Sequence, residues 1–396
     1  MPTWDVNFNM RFETQSLEVV SCVAKANILA SVIRAIPIPP GLQQMIDALN
    51  IMRAVRGTTG IEGTELTEEE VREIMEAPPG ESVLPPNRQR EEQEARNAEE
   101  LMYYVAEVLI RDPMTPLTEK LVRKIHEITT KNIDYPDNVP GKYRTHSVSA
   151  GTYIPPKTGD EVSRLMKEFI QWFNHGAPQS WDPIIRAIVA HFYVVSIHPF
   201  GDGNGRTARG VESFLLYQAM VNARGFYSLA NHYYRYRAEY VHALDQVRFQ
   251  TKGDLTPFVL FALRGLVAEL EAVHSEVISS VQMISFRDFA REVLSDKLAT
   301  TAGERMFHFL LGLGREPVFL KALRSGKHEL SHLYRNLSPK TLSRDLNFLK
   351  QRKLIIVEGD ELRANLDIMT RFTPPFELAV RQTARHRKSS RKGQQG

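Results

Sequence analysis

The chain has 396 residues, 42 % of them apolar and 24 % charged, with a formal net charge of +3. That length exceeds one typical domain, the apolar share is enough to bury real cores, and the small net charge excludes a molecule that advertises nucleic-acid binding over its whole surface. The single cysteine, Cys22, cannot form an internal disulfide and fits a reducing compartment. No basic-then-apolar leader opens the sequence, and no apolar run approaches the ~20 residues of a membrane span, so a cytoplasmic protein is expected.

In chain order, helical periodicity runs over 17–36 and breaks at Pro37, then resumes from about Leu42 towards Glu62. Thr67, followed by Glu68, Glu69 and Glu70, reads as the N-cap of a third helix. Residues 77–93 hold four prolines and read as a connector. Helices are expected again over 95–110 and 117–130. The stretch 134–158 is punctuated by proline and glycine around a short β-like run, Tyr143 to Val148, that reads as a hairpin. A helix over 162–173 follows. Asp182 and Pro183 then open another, as N-cap and first helical residue, that continues to His198. One more begins after Gly203 and runs to about Asn222, and a long amphipathic stretch covers 255–281. Past 301 the order is helix (304–311), helix (327–333), helix (338–350), strand (354–357), turn, strand (361–364), which is the winged-helix order. The basic segment from Arg381 to Lys392 has no acid and no apolar periodicity, and reads as a disordered solubilising tail.

The chemistry concentrates in His198-Pro199-Phe200-Gly201-Asp202-Gly203-Asn204-Gly205-Arg206-Thr207-Ala208-Arg209. Gly203 and Gly205 remove Cβ atoms where a helix begins, so a ligand can approach free backbone N–H groups. Those donors and the helix dipole make an anion site suited to phosphates. Arg206 and Arg209 share one helix face and lean towards its N-terminus, where guanidinium forks suit phosphate oxygens. Asp202 is a hard oxygen ligand for Mg²⁺, and His198, with a pKa near neutrality, is placed to take a proton from an attacking hydroxyl. A lone histidine before proline is usually structural, and a Gly-Asp-Gly-Asn-Gly run is usually a surface turn. Their combination with two spaced arginines at a helix start is not a packing pattern. His191, seven residues earlier, reads as a hydrogen-bonded core histidine, and no zinc spacing is present.

The run resembles the Fic-family signature HPFx(D/E)GNGRxxR and matches it at every specified position. The resemblance extends to AHFYVVSI upstream, to GKYRT at 141–145 and to NHYYRYRAEYVHAL downstream, covering about 100–285. It implies a mainly α fold: a Fic-type helical core with a short β-hairpin flap, followed by the C-terminal winged helix-turn-helix domain. The expected divisions are an N-terminal helical region (1–95), a catalytic core (96–285), the winged helix (286–375) and the tail (376–396). The implied function is protein adenylyltransferase, moving AMP from ATP to a Ser, Thr or Tyr hydroxyl of a target protein or of itself. His198 would be the base and Asp202 the Mg²⁺ ligand. Gly203, Asn204, Gly205, Arg206 and Arg209 would bind the nucleotide. Tyr240 falls where the family places adenine-pocket aromatics, although an aromatic on a buried helix face is the alternative, and Val241 stands where many members carry a second tyrosine. Thr145, His146, Ser147 and Val148 fall in the flap that positions the target by strand addition.

Thr58-Thr59-Gly60-Ile61-Glu62-Gly63 resembles the family's inhibitory (S/T)xxxE(G/N) motif, which marks Thr58, Glu62 and Gly63; a helix C-terminus closed by Gly63 is the alternative reading. The resemblance implies that Glu62 pairs with Arg209 and holds a carboxylate where the γ-phosphate must sit. Removal of AMP, with Glu62 positioning water, is the alternative activity; a nucleotide-sensing DNA-binding regulator is the alternative of another class. At the C-terminus, Ser338-Pro339 opens a helix with Lys340, Thr341, Ser343 and Arg344 available to phosphates or bases. The expected partners are a target protein with a hydroxyl side chain, and DNA or a protein at the winged helix. No membrane partner is expected, and a homodimer is left open.

Overall fold

The computed structural model describes every residue except 1, 10, 14, 15, 79, 152, 222–228, 252, 315 and 370–396. The basic tail expected over 376–396 therefore lies outside the described residues. The chain divides into two compact units, one up to Val277 and one from Ile278 onward. Among the described residues, no helix is long and apolar enough to cross a membrane.

In the first unit, α1 (Leu17–Ala35) stops before Pro37. Helix α2 (Pro40–Gly60) starts on proline, which lacks only an N–H that has no helical acceptor in the first turn. Thr67 closes a reciprocal capping box with Glu70 at the start of α3 (Glu68–Glu76). The connector is shorter than its composition suggests: a 3₁₀ turn at Pro86–Arg88 runs straight into α4 (Gln89–Arg111). Buried Glu92 orders it, accepting the backbone N–H groups of Val83 at 3.0 Å and Leu84 at 2.9 Å. Helices α5 (Glu119–Thr129) and α6 (Gly159–His175) are capped by Thr118 and Thr158.

Helix α7 (Pro183–Ile197) is the axis of this unit. Asp182 caps it, and every residue from Ile184 to Ile197 except Arg186 is buried, as expected of a helix apolar on all sides. Helix α8 (Asn204–Gln218) packs along α7, and α2, α4 and α5 cover its other flanks. The loop between α7 and α8 thus stands on two buried, close-packed supports. Helices α9 (Leu229–Arg235) and α10 (Arg237–Asp245), a π-helical turn (Gln246–Gln250) and α11 (Thr256–Val293) complete the order.

The hairpin expected around 143–154 is not formed as paired strands. The described residues there hold a single antiparallel bridge, Ala150 to Tyr153, and a parallel bridge from Ile154 to Thr3. Residues 145–149 are extended or bent and alternate between exposed and half-buried. Four prolines flank the run within 134–158, and they supply no backbone N–H groups to extend a ladder.

The second unit contains α12 (Thr301–Gly312), β1 (Val318–Phe319), α13 (Leu320–Arg324), a 3₁₀ turn (Glu329–Tyr334), α14 (Pro339–Gln351), β2 (Ile355–Glu358) and β3 (Glu361–Ala364). The strands form one antiparallel sheet in the order β1-β3-β2. Leu342, Leu346 and Leu349 bury one face of α14 against Phe309, Leu310 and Leu313. Buried Asp345 accepts two bonds from Arg305, at 2.8 and 3.0 Å, tying α14 to α12. Two-residue β1 escaped sequence reading because so short a strand has no period to detect.

Candidate active site

His198 ends α7 in a left-handed conformation, φ 52°, an uncommon geometry for a residue with a Cβ. Its backbone N–H still bonds the Val194 carbonyl at 3.0 Å, while its Nδ1 stands 3.1 Å from the Val195 carbonyl. That contact places the ring proton on Nδ1 and leaves Nε2 as the acceptor. Burial pushes the imidazole down to about 4; the charges of Arg144 and Arg248 add to this, while Val195 and Glu62 oppose it. Burial thus moves the ring below the near-neutral value expected from sequence and favours its neutral, proton-accepting form.

The loop after His198 is held by side chains on every side. Buried Asn204 clamps it, accepting the Phe200 N–H at 2.8 Å and donating to the Phe200 carbonyl at 2.9 Å, with one amide hydrogen left over. The Asp202 N–H donates to Asn138 Oδ1 at 3.1 Å, and Gly203 takes φ 70° to start α8. His126 of α5, which sequence reasoning missed, accepts the Gly141 N–H on Nδ1 at 2.9 Å. Its Nε2–H accordingly donates to the Asp202 carbonyl at 3.0 Å. Its ring stacks flat on Phe200, with centroids 3.7 Å apart, and burial pushes it down to about 4. A lone histidine on an amphipathic helix gives no sequence signal for this role.

Two guanidiniums stand over the first turn of α8, and each already has a carboxylate. The Arg206 Nη1 donates to the Tyr135 hydroxyl at 2.6 Å and lies 3.1 Å from Glu94. Its Nη2 reaches Asp202 at 3.2 Å. Arg209 donates from Nε to Thr58 Oγ1 and from Nη2 to the Thr58 carbonyl, both at 2.9 Å, and from Nη2 to Glu62 Oε1 at 2.6 Å. Burial works to raise the Glu62 carboxyl, but Arg209 and Arg206 outweigh it and hold the group below the usual carboxylate range. The same Oε1 lies against Gly205, where any side chain would collide with it. Glu62 therefore sits at the helix start whose first N–H groups lack helical acceptors. Gly63, at φ 100°, turns the chain away immediately after it.

Glu94, which sequence reasoning also missed, is a buried hub. It accepts the Tyr135 hydroxyl at 2.6 Å and the Thr64 hydroxyl at 3.0 Å, so it joins Arg206 to the turn that carries Glu62. Arg144 links the flap to the catalytic loop. Its Nε donates to the His198 carbonyl at 2.8 Å, and its other nitrogens to the carbonyls of His146 and Pro156 at 2.7 and 2.6 Å. Thr145, His146, Ser147 and Val148 follow it, and no backbone hydrogen bond is found among the described residues for Ser147, Val148 or Ser149. Tyr240, in contrast, has the packing role. It is 4 % exposed, stacks on Tyr233 and bonds His191 through its hydroxyl at 2.9 Å, so neither its ring face nor its oxygen is open to an adenine. His191 is the buried core histidine expected.

Among the described residues there is no group of three or more His, Cys, Asp or Glu that would cage a metal. Asp202 offers one carboxylate, 42 % exposed, beside the start of α8. One carboxylate with substrate phosphates and water is the donor set Mg²⁺ prefers, so the residues present fit that ion.

The family model described as Fic/DOC family matches residues 116–216, which span α5 to α8 and include the whole loop. Residues 116–216 therefore resemble a Fic domain. Over 207 residues the chain is 31 % identical to proteins named protein adenylyltransferase Fic from Drosophila ananassae and Drosophila melanogaster. Those matches cover 52 % of this chain and only 38 % of the relatives' length. In fold, a Fic family protein from Desulfovibrio desulfuricans superposes with a TM-score of 0.53 at 20 % identity, covering 89 % of this chain and 97 % of that one. Fic-1 from C. elegans gives 0.53 at 24 % identity, over 66 % and 73 %. The matched residues include His198, the loop and both arginines; Thr58, Glu62 and Glu94 reach the site from outside them.

Proposed function

We propose that this chain is a protein adenylyltransferase held in a restrained state by its own Glu62. The observation that carries the reading is a neutral histidine, with Nε2 left as acceptor, beside a helix start equipped to hold phosphates. ATP would lie with its phosphates over the first turn of α8, contacted by the backbone of Gly203 and Gly205, by the free amide hydrogen of Asn204, and by Arg206 and Arg209. A Ser, Thr or Tyr hydroxyl of a target protein attacks the α-phosphorus and loses its proton to His198 Nε2. The bond to the bridging oxygen breaks as the new P–O bond forms, and pyrophosphate leaves. Such transfers are catalysed mainly by positioning and charge neutralisation. Asp202 would hold Mg²⁺, which neutralises phosphate charge when bound. The unpaired backbone of residues 147–149 suits strand addition by a target segment, with Arg144 keeping that strand in register with His198.

Restraint follows from occupancy of the anion site. Glu62 engages Arg209, lies on the free N–H end of α8 and presents negative charge where the terminal phosphate would rest. The experiment is incubation of the wild-type, Glu62→Gly and Glu62→Gly/His198→Ala chains with α-³²P-ATP, Mg²⁺ and cell lysate. Strong labelling is expected from Glu62→Gly alone, with mass spectrometry locating AMP on hydroxyl side chains. No labelling by Glu62→Gly beyond wild type sinks the restraint, and undiminished labelling by the double variant removes His198 from the chemistry.

The second unit is read as a winged helix that recognises a DNA or protein partner. The reading rests on its helix–strand–helix–helix–hairpin order and on the exposed polar face of α14.

A further inference from the structure

The overall charge of +3 conceals a division. Residues 278–396 hold 22 Lys and Arg against 12 Asp and Glu, a net +10, whereas residues 1–277 hold 28 against 35, a net −7. Residues 278–369 alone are net +4. Within that unit, four of the acids are held in ion pairs. Asp345 pairs with Arg305, Asp296 with Arg352, Asp367 with Arg363 and Asp288 with Arg287. Arg335, Lys340, Lys350 and Lys353 have no ion pair among the described residues, and all four are exposed. Arg344 is 71 % exposed, its only acidic neighbour being Asp345 at 3.8 Å, already engaged by Arg305.

These cations cluster on and around α14. The helix buries Leu342, Asp345, Leu346 and Leu349 and presents Lys340, Ser343, Arg344, Asn347 and Gln351 along its opposite face. Ser338 caps it, accepting the Lys340 N–H at 3.2 Å. The exposed face therefore joins two cations with two amides and a hydroxyl, the side-chain types that bond both phosphates and base edges. A solvated helix face needs charge for solubility, but it does not need amides at helical spacing between the cations. The tip of the β2–β3 hairpin is acidic, with Glu358, Asp360 and Glu361 around Gly359, so it would repel a phosphate backbone and leaves the contact to the helix.

We infer that the second unit binds double-stranded DNA, with α14 in the major groove. Lys340 and Arg344 contact phosphates, and Ser343 and Asn347 face the bases. The inference rests on the winged-helix reading above and names its partner.

The test uses the full chain and a labelled duplex two helical turns long, with fluorescence anisotropy followed across a KCl titration. Wild type is expected to bind with an affinity that falls steeply with salt. Each lost phosphate contact should flatten the slope of log K against log salt by about 0.9, so Lys340→Glu/Arg344→Glu should flatten it by about 2 and weaken binding at least tenfold. The control Lys120→Glu/Lys167→Glu, with the same charge change on the first unit, should leave binding unchanged. Selection from a randomised duplex pool should give a sequence preference that Asn347→Ala relaxes. Equal losses in the two double variants, tighter binding to single-stranded RNA than to the duplex, or capture of a protein that DNA does not displace would each overturn the assignment. No DNA binding by a chain with an intact melting transition and AMP transfer would overturn it too, and would leave the enzyme and fold readings standing. Loss of amide-exchange protection across α14 in the wild-type chain would instead count against the fold reading.

Discussion

Replacing Glu62 by glycine removes a carboxylate 2.6 Å from Arg209 and resting against Gly205. Opposite charges about 4 Å apart attract by about 4 kcal/mol at the effective dielectric near a protein surface. The Glu62 side chain is 35 % exposed, so solvent screening cuts that to about 2 kcal/mol. The same carboxylate also repels an incoming phosphate, in the same direction. A 2 kcal/mol change corresponds to about 30-fold in a rate constant. Glu62→Gly is therefore expected to raise kcat/KM for AMP transfer by at least about 30-fold, measured with α-³²P-ATP at limiting nucleotide and normalised to total protein. Glu62→Gln should fall between the two, because it removes the charge and keeps the volume against Gly205. If both variants stay within twofold of wild type while their melting transitions are unchanged, the carboxylate is not what restrains the site. If Gln equals Gly, charge alone accounts for the effect and occupancy does not.

With Glu62→Gly as background, kcat/KM should be flat from pH 8 to pH 5 and fall only as His198 protonates near 4. A midpoint near 6.5 would show that the histidine is not buried as described. His126 titrates in the unfolded chain near 6.5 and in the folded one at about 4, so the unfolded state gains protons first as pH falls. Its contribution is fully present above 6.5 and is lost towards 4, on the order of 3 kcal/mol in all. Urea unfolding of His126→Gln across that window should show a correspondingly weaker pH dependence. Glu94→Ala leaves buried Arg206 with Asp202 as its remaining carboxylate and should destabilise by about 3 kcal/mol, read from the urea midpoint, with Glu94→Gln clearly milder. Arg144→Ala should raise KM for the target protein several-fold and leave ATP affinity unchanged, because its bonds hold the flap to His198.

Most helices were legible because caps and period agree: Thr67, Asp182 with Pro183, and Ser338 with Pro339 each open a helix in the structure. The loop from His198 to Arg209 was legible because its residue types are contiguous and have no packing reason to occur together. Three things were not legible. The flap reads as strand by residue type, but pairing depends on a partner edge that sequence does not display. Glu94, His126 and Arg144 act through bonds to residues 30 to 76 positions away, and each looks like an ordinary polar residue on a helix or loop. The pKa of His198 follows from burial at the end of α7, which no local spacing encodes.

The missed acid, Glu94, changes how the restraint is understood. Around the start of α8, Arg90, Arg206 and Arg209 face Glu94, Asp202 and Glu62, so the resting site holds three formal positive charges against three negative ones. An anion entering that site meets no net positive charge even though the residues that should bind it are in place. Removing Glu62 leaves one positive charge in excess and frees Arg209, while Arg206 keeps Glu94 and Asp202. On this reading the proposed brake needs no distortion of the loop: His198, Asn204 and His126 hold the same contacts in either state, and the switch is the position of one turn, from Ile61 to Thr64, at the end of α2. The Thr64 bond to Glu94 fastens that turn from its far side. Thr64→Val, which breaks the bond and leaves both carboxylates present, should therefore raise AMP transfer in the otherwise unaltered chain, by less than Glu62→Gly does. It should add nothing when Glu62 is already glycine. An additive effect in the double variant would mean that Thr64 acts through Arg206 and not through the turn.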